Sequence, residues 1–200
     1  MVTEIRIYME GGGDKSETKA AVRTGFGKFL AKASEITRRP KVIACGSRNS
    51  ALKGFRTALR VHPDAFNVLL VDSEGPVRGE PWEHLQNRDY WQRPDADDDQ
   101  CHLMVQIMEA WLVADVDALK EFYGQHFQDS AIPRTKDVEE IDKTTLAGAL
   151  TRATRNTQKG EYHKIKHGAK LLARIDPSIV RSKAPYCERL FARLAARIQA

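Results

Sequence analysis

The chain has 200 residues, 42% of them apolar and 30% charged, with a formal net charge of +5. These values exclude an intrinsically disordered chain. The lack of any apolar stretch near the roughly 20 residues of a bilayer span excludes a membrane-spanning one. The charge is unevenly spread: residues 81–150 carry 6 Lys/Arg against 15 Asp/Glu, and residues 151–200 carry 12 against 3.

Such an acidic middle excludes a protein that coats DNA uniformly. The basic last quarter is either an electrostatic footprint for a polyanion or a solvated helix surface. The length suits one substantial core. Cys45, Cys101 and Cys187 are odd in number and form no CxxC. With no basic-then-apolar leader at the start, they read as reduced thiols of a cytoplasmic protein.

In chain order, "TEIRIYME" alternates Ile5, Ile7 and Met9 with polar residues and predicts a strand ending at Glu10. After three glycines, Asp14 and Glu17 have the spacing of an N-terminal capping box. Ala21, Val22, Phe26, Phe29, Leu30 and Ala33 then recur at helical spacing up to Arg39-Pro40. "PKVIACG" predicts a second strand. "SALKGFRTALRVHP" predicts a helix with Leu52, Phe55 and Leu59 on one face, and "AFNVLLVDSEG" a third, fully buried strand. Strand–helix–strand–helix–strand is the pattern of a right-handed parallel α/β unit.

Residues 76–101 read as irregular, and the acids Asp95, Asp97, Asp98 and Asp99 as a solvated loop. "HLMVQIM" predicts a fourth strand, running past Glu109 into one helix over "EAWLVADVDALKEFYG". Helices follow in "KTTLAGALTRATRN", "GAKLLARI" and "APYCERLFARLAARIQA". The last has Cys187, Leu190, Phe191, Leu194 and Ile198 as its apolar stripe, with Pro185 tolerated in its first turn.

In open parallel sheets, sites form at the carboxyl ends of strands. Glu10 ends the first strand, and Asp72 and Glu74 end the third. The glycines between Glu10 and Asp14 can cradle a phosphate or shape a turn beside a metal. "GGGDKSE" lacks the second glycine of a Walker loop and has Ser16 at the third position of GxGxxG. The flanking carboxylates oppose a bare phosphate, whereas a divalent cation reverses that sign. Mg²⁺ (or Mn²⁺) suits such a carboxylate set, and phosphate can then approach the metal. Asp72 and Glu74, two apart, face one side if strand geometry persists.

"MEGGGD" followed by "LLVDSEG" resembles the Toprim pattern of a glutamate–glycine turn after the first strand and D-x-D after the third. Toprim domains occur in topoisomerases, primases, ribonuclease M5-like maturases and OLD-family nucleases. "LLVDSEGPV", "HLMVQIMEAWLVAD" and "KGEYHKIKHGAKLL…IDPSIVRSKAPYCERLFARL" more closely resemble the family DUF4276, which is grouped with Toprim-like folds and linked to ATPase partners and phage defence.

The resemblance implies an α/β Toprim-like parallel-sheet core (about residues 1–116) with helices on both faces, and an α-helical C-terminal extension (about 117–200) in one domain. It makes Glu10, Asp72 and Glu74 metal ligands and catalytic groups, with Glu74 in place of the second Asp, and adds Glu109 as a further ligand. It implies Mg²⁺-dependent hydrolysis of phosphodiester bonds in DNA or RNA. The rival expectation is a non-catalytic module that binds an ATPase partner or nucleic acid.

Arg48, after the second strand, is placed to face a phosphate, or merely to solvate a loop. Lys159, His163, Lys164 and Lys166, with His167 four residues after His163, read either as a phosphate-contacting surface or as plain solvation. Trp82, Trp91 and Trp111 read as core or interface anchors. Nucleic acid, an ATPase and a second copy of the chain are the expected partners, with no membrane.

Overall fold

The computed structural model describes residues 4–199, so Thr3 and Ala200 of the first and last predicted elements lie outside them. Four strands, β1 (Ile5–Met9), β2 (Lys41–Ala44), β3 (Phe66–Asp72) and β4 (Cys101–Met104), form one all-parallel sheet in the order β2-β1-β3-β4. β3 is buried along its whole length because it has a neighbour on each side and helices on both faces, which is why its sequence is an unbroken apolar run.

The two faces segregate by the alternation of side chains. Ile5, Ile7, Met9, Val68 and Leu70 face α1 (Ser16–Ala31) and the C-terminal helices. Tyr8, Leu69 and Val71 face α2 (Arg48–Val61) and α3 (Pro81–Asp89). The α3 helix corrects the expectation of an irregular stretch over 76–101. It is short, with Pro81 at its first position and Trp82 and Leu85 as its buried pair, too few apolar residues for a clear helical period.

The helix expected over "EAWLVADVDALKEFYG" is two: α4 (Glu109–Ala114) and α5 (Val116–Tyr123). Asp115 breaks it. Its Oδ1 caps α5 by accepting from the Ala118 N–H, and its Oδ2 accepts from the Asp176 N–H. The fourth strand is shorter than "HLMVQIM" because Gln106 takes a left-handed conformation (φ 60°).

Beyond it lie α6 (Lys143–Thr154), a π-helical turn (Lys164–Gly168) running into α7 (Ala169–Leu172), the unexpected α8 (Pro177–Lys183) and α9 (Pro185–Gln199). These helices share the core of the sheet: Phe29 stacks on Trp111 (5.9 Å) and meets Phe191 edge-on (5.5 Å). Among the described residues, no helix is long and apolar enough to cross a membrane.

Two glycine contacts set the site. Gly11 and Gly46 exchange both backbone hydrogen bonds (2.9 and 3.0 Å), tying the ends of β1 and β2 together. A Cβ on Gly46, whose φ is +86°, would lie 2.5 Å from the Gly13 carbonyl oxygen. A Cβ on Gly25 would lie 2.2 Å from the Ala169 carbonyl, so this glycine lets α7 press against α1 and brings the π-helical turn to the sheet edge.

Asp14 does not form the expected cap. Lys15 is the N-cap residue and α1 begins at Ser16, while the Thr18 hydroxyl closes the turn by donating to the Gly12 and Lys15 carbonyls.

Candidate functional site

Glu10 follows the last residue of β1, and its N–H continues the sheet ladder by donating to the Leu70 carbonyl (3.0 Å). Its side chain turns back over β3, where Oε2 accepts from the Asp72 N–H (3.1 Å). Asp72 is the last residue of β3 and 1% exposed. Its Oδ1 accepts from the Met108 N–H (2.8 Å), and its Oδ2 lies 3.2 Å from the Lys164 ammonium.

Glu74 joins them by a route the sequence does not show. Strand geometry does not persist past Asp72; Glu74 is left-handed (φ 61°) and its N–H donates to the Gln106 carbonyl (2.8 Å). A non-glycine residue in this region carries a strain cost of about 1–3 kcal/mol, maintained where surrounding structure demands it. The Ser73 hydroxyl accepts from the Gln106 N–H (2.8 Å), and the Ser73 carbonyl meets the His84 ring of α3, so the turn is fastened from two sides. Glu10, Asp72 and Glu74 each bring one carboxylate oxygen to within 4.8 Å of the others.

Glu109 is the first residue of α4 rather than the end of a strand, and is 4% exposed. The Tyr162 hydroxyl donates to its Oε1 (2.9 Å). Its Oε2 is sealed, accepts no hydrogen bond, and sits 3.4 Å from the Lys164 ammonium.

The electrostatics follow from this crowding. Burial first, then the Asp72 carboxylate, hold Glu10 well above the usual carboxylate range. Burial also raises Asp72, with Lys164 opposing and Glu109 adding to the shift. For Glu74 burial is outweighed by the Lys143 ammonium 2.9 Å away, and it titrates below the ordinary range. Burial disfavours the Lys164 ammonium, but Asp72, Glu109 and Glu10 outweigh that and hold its pKa above the usual lysine value.

The residues expected to contact nucleic acid are dispersed. Arg48 starts α2 with Nε 3.8 Å from Glu10 Oε2. Its Nη1 and Nη2 donate to Asp89 of α3 (3.3 and 2.8 Å), and its guanidinium lies over the Trp91 ring. Lys159 lies over the Phe122 ring, and His163 and Lys166 are exposed. Lys164 points into the acids. His167 is buried and shares a hydrogen bond with the Tyr123 hydroxyl (3.0 Å), so it does not share a surface with His163.

Much of the basic last quarter pairs within the fold: Arg181 bridges Glu35 and Glu188, Arg189 reaches Glu80, and Arg193 reaches Asp99. Trp82 and Trp111 are buried anchors, as expected. Asp89 and Lys143 belong to the site environment but sit in segments with no motif, and Tyr162 lies in a family-like segment without any signal of its role; only their partners reveal them.

A cleft of about 200 Å³ opens beside Glu10 and Asp72, walled by the glycine turn, Val22, Met104, Met108 and Ile165. The Gly11 N–H is committed to Gly46, which weakens the glycines as a phosphate cradle.

No curated protein and no solved structure matches the chain. The model of one family, described as a domain of unknown function (DUF4276), matches residues 9–195, from the last residue of β1 into α9. That span takes in every residue of the acidic cluster, and the chain belongs to the DUF4276 family.

Proposed function

We propose that this chain is a divalent-metal-dependent nuclease that hydrolyses phosphodiester bonds of DNA or RNA. The observation that carries the reading is the convergence of Glu10, from the end of β1, with Asp72 and Glu74, from the end of β3 and the turn after it, at the carboxyl edge of a parallel sheet. The donor set fits Mg²⁺ or Mn²⁺, which take carboxylate oxygens, and the three side chains already offer oxygens within 4.8 Å of one another. The sealed Glu109 Oε2, which accepts no hydrogen bond and faces the Lys164 ammonium at 3.4 Å, adds a further carboxylate oxygen near Asp72.

When bound, the ion would supply Lewis-acid polarisation of a phosphoryl oxygen and a more acidic bound water. Glu10, Asp72 and Glu74 would hold it, and the Met108 and Asp72 N–H groups orient two of those carboxylates. Arg48 keeps a permanent cation 3.8 Å from Glu10, on the side where phosphate charge would need support. The adjoining cleft leaves room for the nucleotide that flanks the phosphate. The Toprim resemblance of "MEGGGD" and "LLVDSEG" supports nucleic acid over small phosphate esters, and the DUF4276 resemblance supports a role in phage defence.

A second reading, a non-catalytic module serving an ATPase partner, is favoured by one observation. Arg48, Lys164 and Lys143 already pair with Glu10, Asp72 and Glu74 respectively, which offsets the charge without an ion. Calorimetric titration of Mg²⁺ and Mn²⁺, with cleavage assays on single- and double-stranded DNA and RNA, separates the two. Metal binding and cleavage, both lost in Asp72→Asn, support the nuclease. Absence of metal binding, or metal binding without cleavage, supports the module.

A further inference from the structure

We propose that Lys164 is a tethered cation that neutralises the Asp72–Glu109 pair in the metal-free protein, and that a divalent ion loading onto Asp72 expels it. This regulation rests on the metal-dependent reading above. The Lys164 ammonium bridges two carboxylates, 3.2 Å from Asp72 Oδ2 and 3.4 Å from Glu109 Oε2, and both acids are almost fully buried. Asp72 also belongs to the three-carboxylate cluster. An ion bonded about 2 Å from an Asp72 oxygen would lie close to an ammonium held on the same carboxylate, and the repulsion is poorly screened at a buried site. One cation must give way.

The chain around Lys164 is built to let it. Tyr162 is fixed by its N–H to Thr154 Oγ1 (2.7 Å) and its hydroxyl to Glu109 (2.9 Å). At the other end, His167 is held by the Tyr123 hydroxyl, and Gly168 packs under Met108, where a Cβ would lie 3.2 Å from the methionine methyl. Between these anchors Lys164, Ile165 and Lys166 are all exposed, and the turn is π-helical, a form often found at functional sites.

The Lys164 side chain keeps 45% of its surface accessible although its ammonium faces buried acids. A flexible four-carbon stem with that much solvent contact can withdraw its charge without unfolding the segment. Glu109 keeps the Tyr162 hydrogen bond in either state, and its freed Oε2 becomes available to the ion or to a metal-bound water.

The test measures the wild-type chain and Lys164→Met together. Each lysine of the folded wild-type protein is acylated with a limiting amine-reactive ester and quantified by mass spectrometry, with and without saturating Mn²⁺. Lys166, exposed two residues away, is the internal reference. Calorimetry then gives the Mn²⁺ affinity of both proteins, with thermal melting to confirm that the variant folds.

The proposal expects Lys164 acylation to rise several-fold with Mn²⁺ while Lys166 stays constant, and Lys164→Met to bind Mn²⁺ on the order of tenfold tighter. Mn²⁺ binding with unchanged Lys164 reactivity overturns it and leaves the metal reading intact. This holds even if Lys164→Met binds tighter, since charge removal alone accounts for that. Unchanged or weaker affinity in a folded variant overturns it as well. Absence of Mn²⁺ binding in both proteins removes this proposal and the metal reading together. The acylation arm needs no variant, so it decides the matter even if Lys164→Met fails to fold.

Discussion

Two buried acids of this protein, Glu139 and Asp72, look alike one at a time and differ in company. Glu139 is 6% exposed, and burial pushes it up to about 7. Asp72 is 1% exposed and is likewise raised, chiefly by burial. Both carboxyl oxygens of Glu139 accept from the Tyr186 N–H (3.1 and 3.2 Å) in the first turn of α9, where backbone donors lack helical partners. Its acidic neighbour is Asp137. Asp72 instead faces Glu10, Glu74 and Glu109 across a cleft edge. Burial alone raises a carboxyl pKa in both places. What distinguishes Asp72 is the number of carboxylates that the fold gathers around it, held there by Lys164, Arg48 and Lys143.

The comparison breaks most sharply at Asp72. Asp72→Asn is expected to weaken Mn²⁺ binding by at least about 100-fold, and to abolish cleavage, by calorimetry and nuclease assay. Glu139→Gln should leave both within about twofold. An equal loss of metal binding in the two variants would erase the distinction.

Glu139→Gln should show itself in stability. The folded pKa of Glu139, about 7, lies above its ordinary value of 4.5, so ionisation is disfavoured in the fold. The group therefore costs nothing below about pH 4.5, and its cost grows until about pH 7 and then levels off. Denaturant unfolding should find the glutamine variant about 1–3 kcal/mol more stable than wild type at pH 8 and nearly equal to it at pH 4.5. A constant difference across that window would contradict the burial argument.

A smaller effect is expected at Glu74, whose charge is already shared with Lys143. Glu74→Gln should weaken Mn²⁺ binding about tenfold, less than Asp72→Asn does, and Lys143→Met should strengthen it. The smallest effect concerns Asp14, which is exposed and is not the N-cap residue of α1. Asp14→Ala should change stability by less than about 0.5 kcal/mol and leave metal affinity unaltered. A loss above about 1 kcal/mol would restore the capping box.

Two of the clustered acids are legible in the sequence because they end strands. Ile5–Met9 and Phe66–Asp72 are apolar runs whose termination is local information, and Glu10 and Asp72 sit at their ends. Glu74 was visible by spacing but reaches the cluster through a left-handed turn. Pro81–Asp89 escaped notice because its buried surface is Trp82 and Leu85, and with it went Asp89, the residue that holds Arg48. Lys164 showed in the sequence as one charge among several in "KGEYHKIKHGAK"; nothing local distinguishes it from Lys166, which remains at the surface.

Sequence by itself determined the parallel α/β core, the strand ends that carry acids, and the helical last third, because periodicity and chain breakers act within a few residues of one another. Tertiary structure alone decided which charges meet. Lys164 pairs with Asp72 across 92 residues of chain because Gly25 lets α7 press onto α1, an approach set by packing. Part of the basic tail's charge is likewise paired with acids far away in sequence, such as Glu35 for Arg181 and Glu80 for Arg189. Charge is written in the sequence, but a charge's partner is a property of packing.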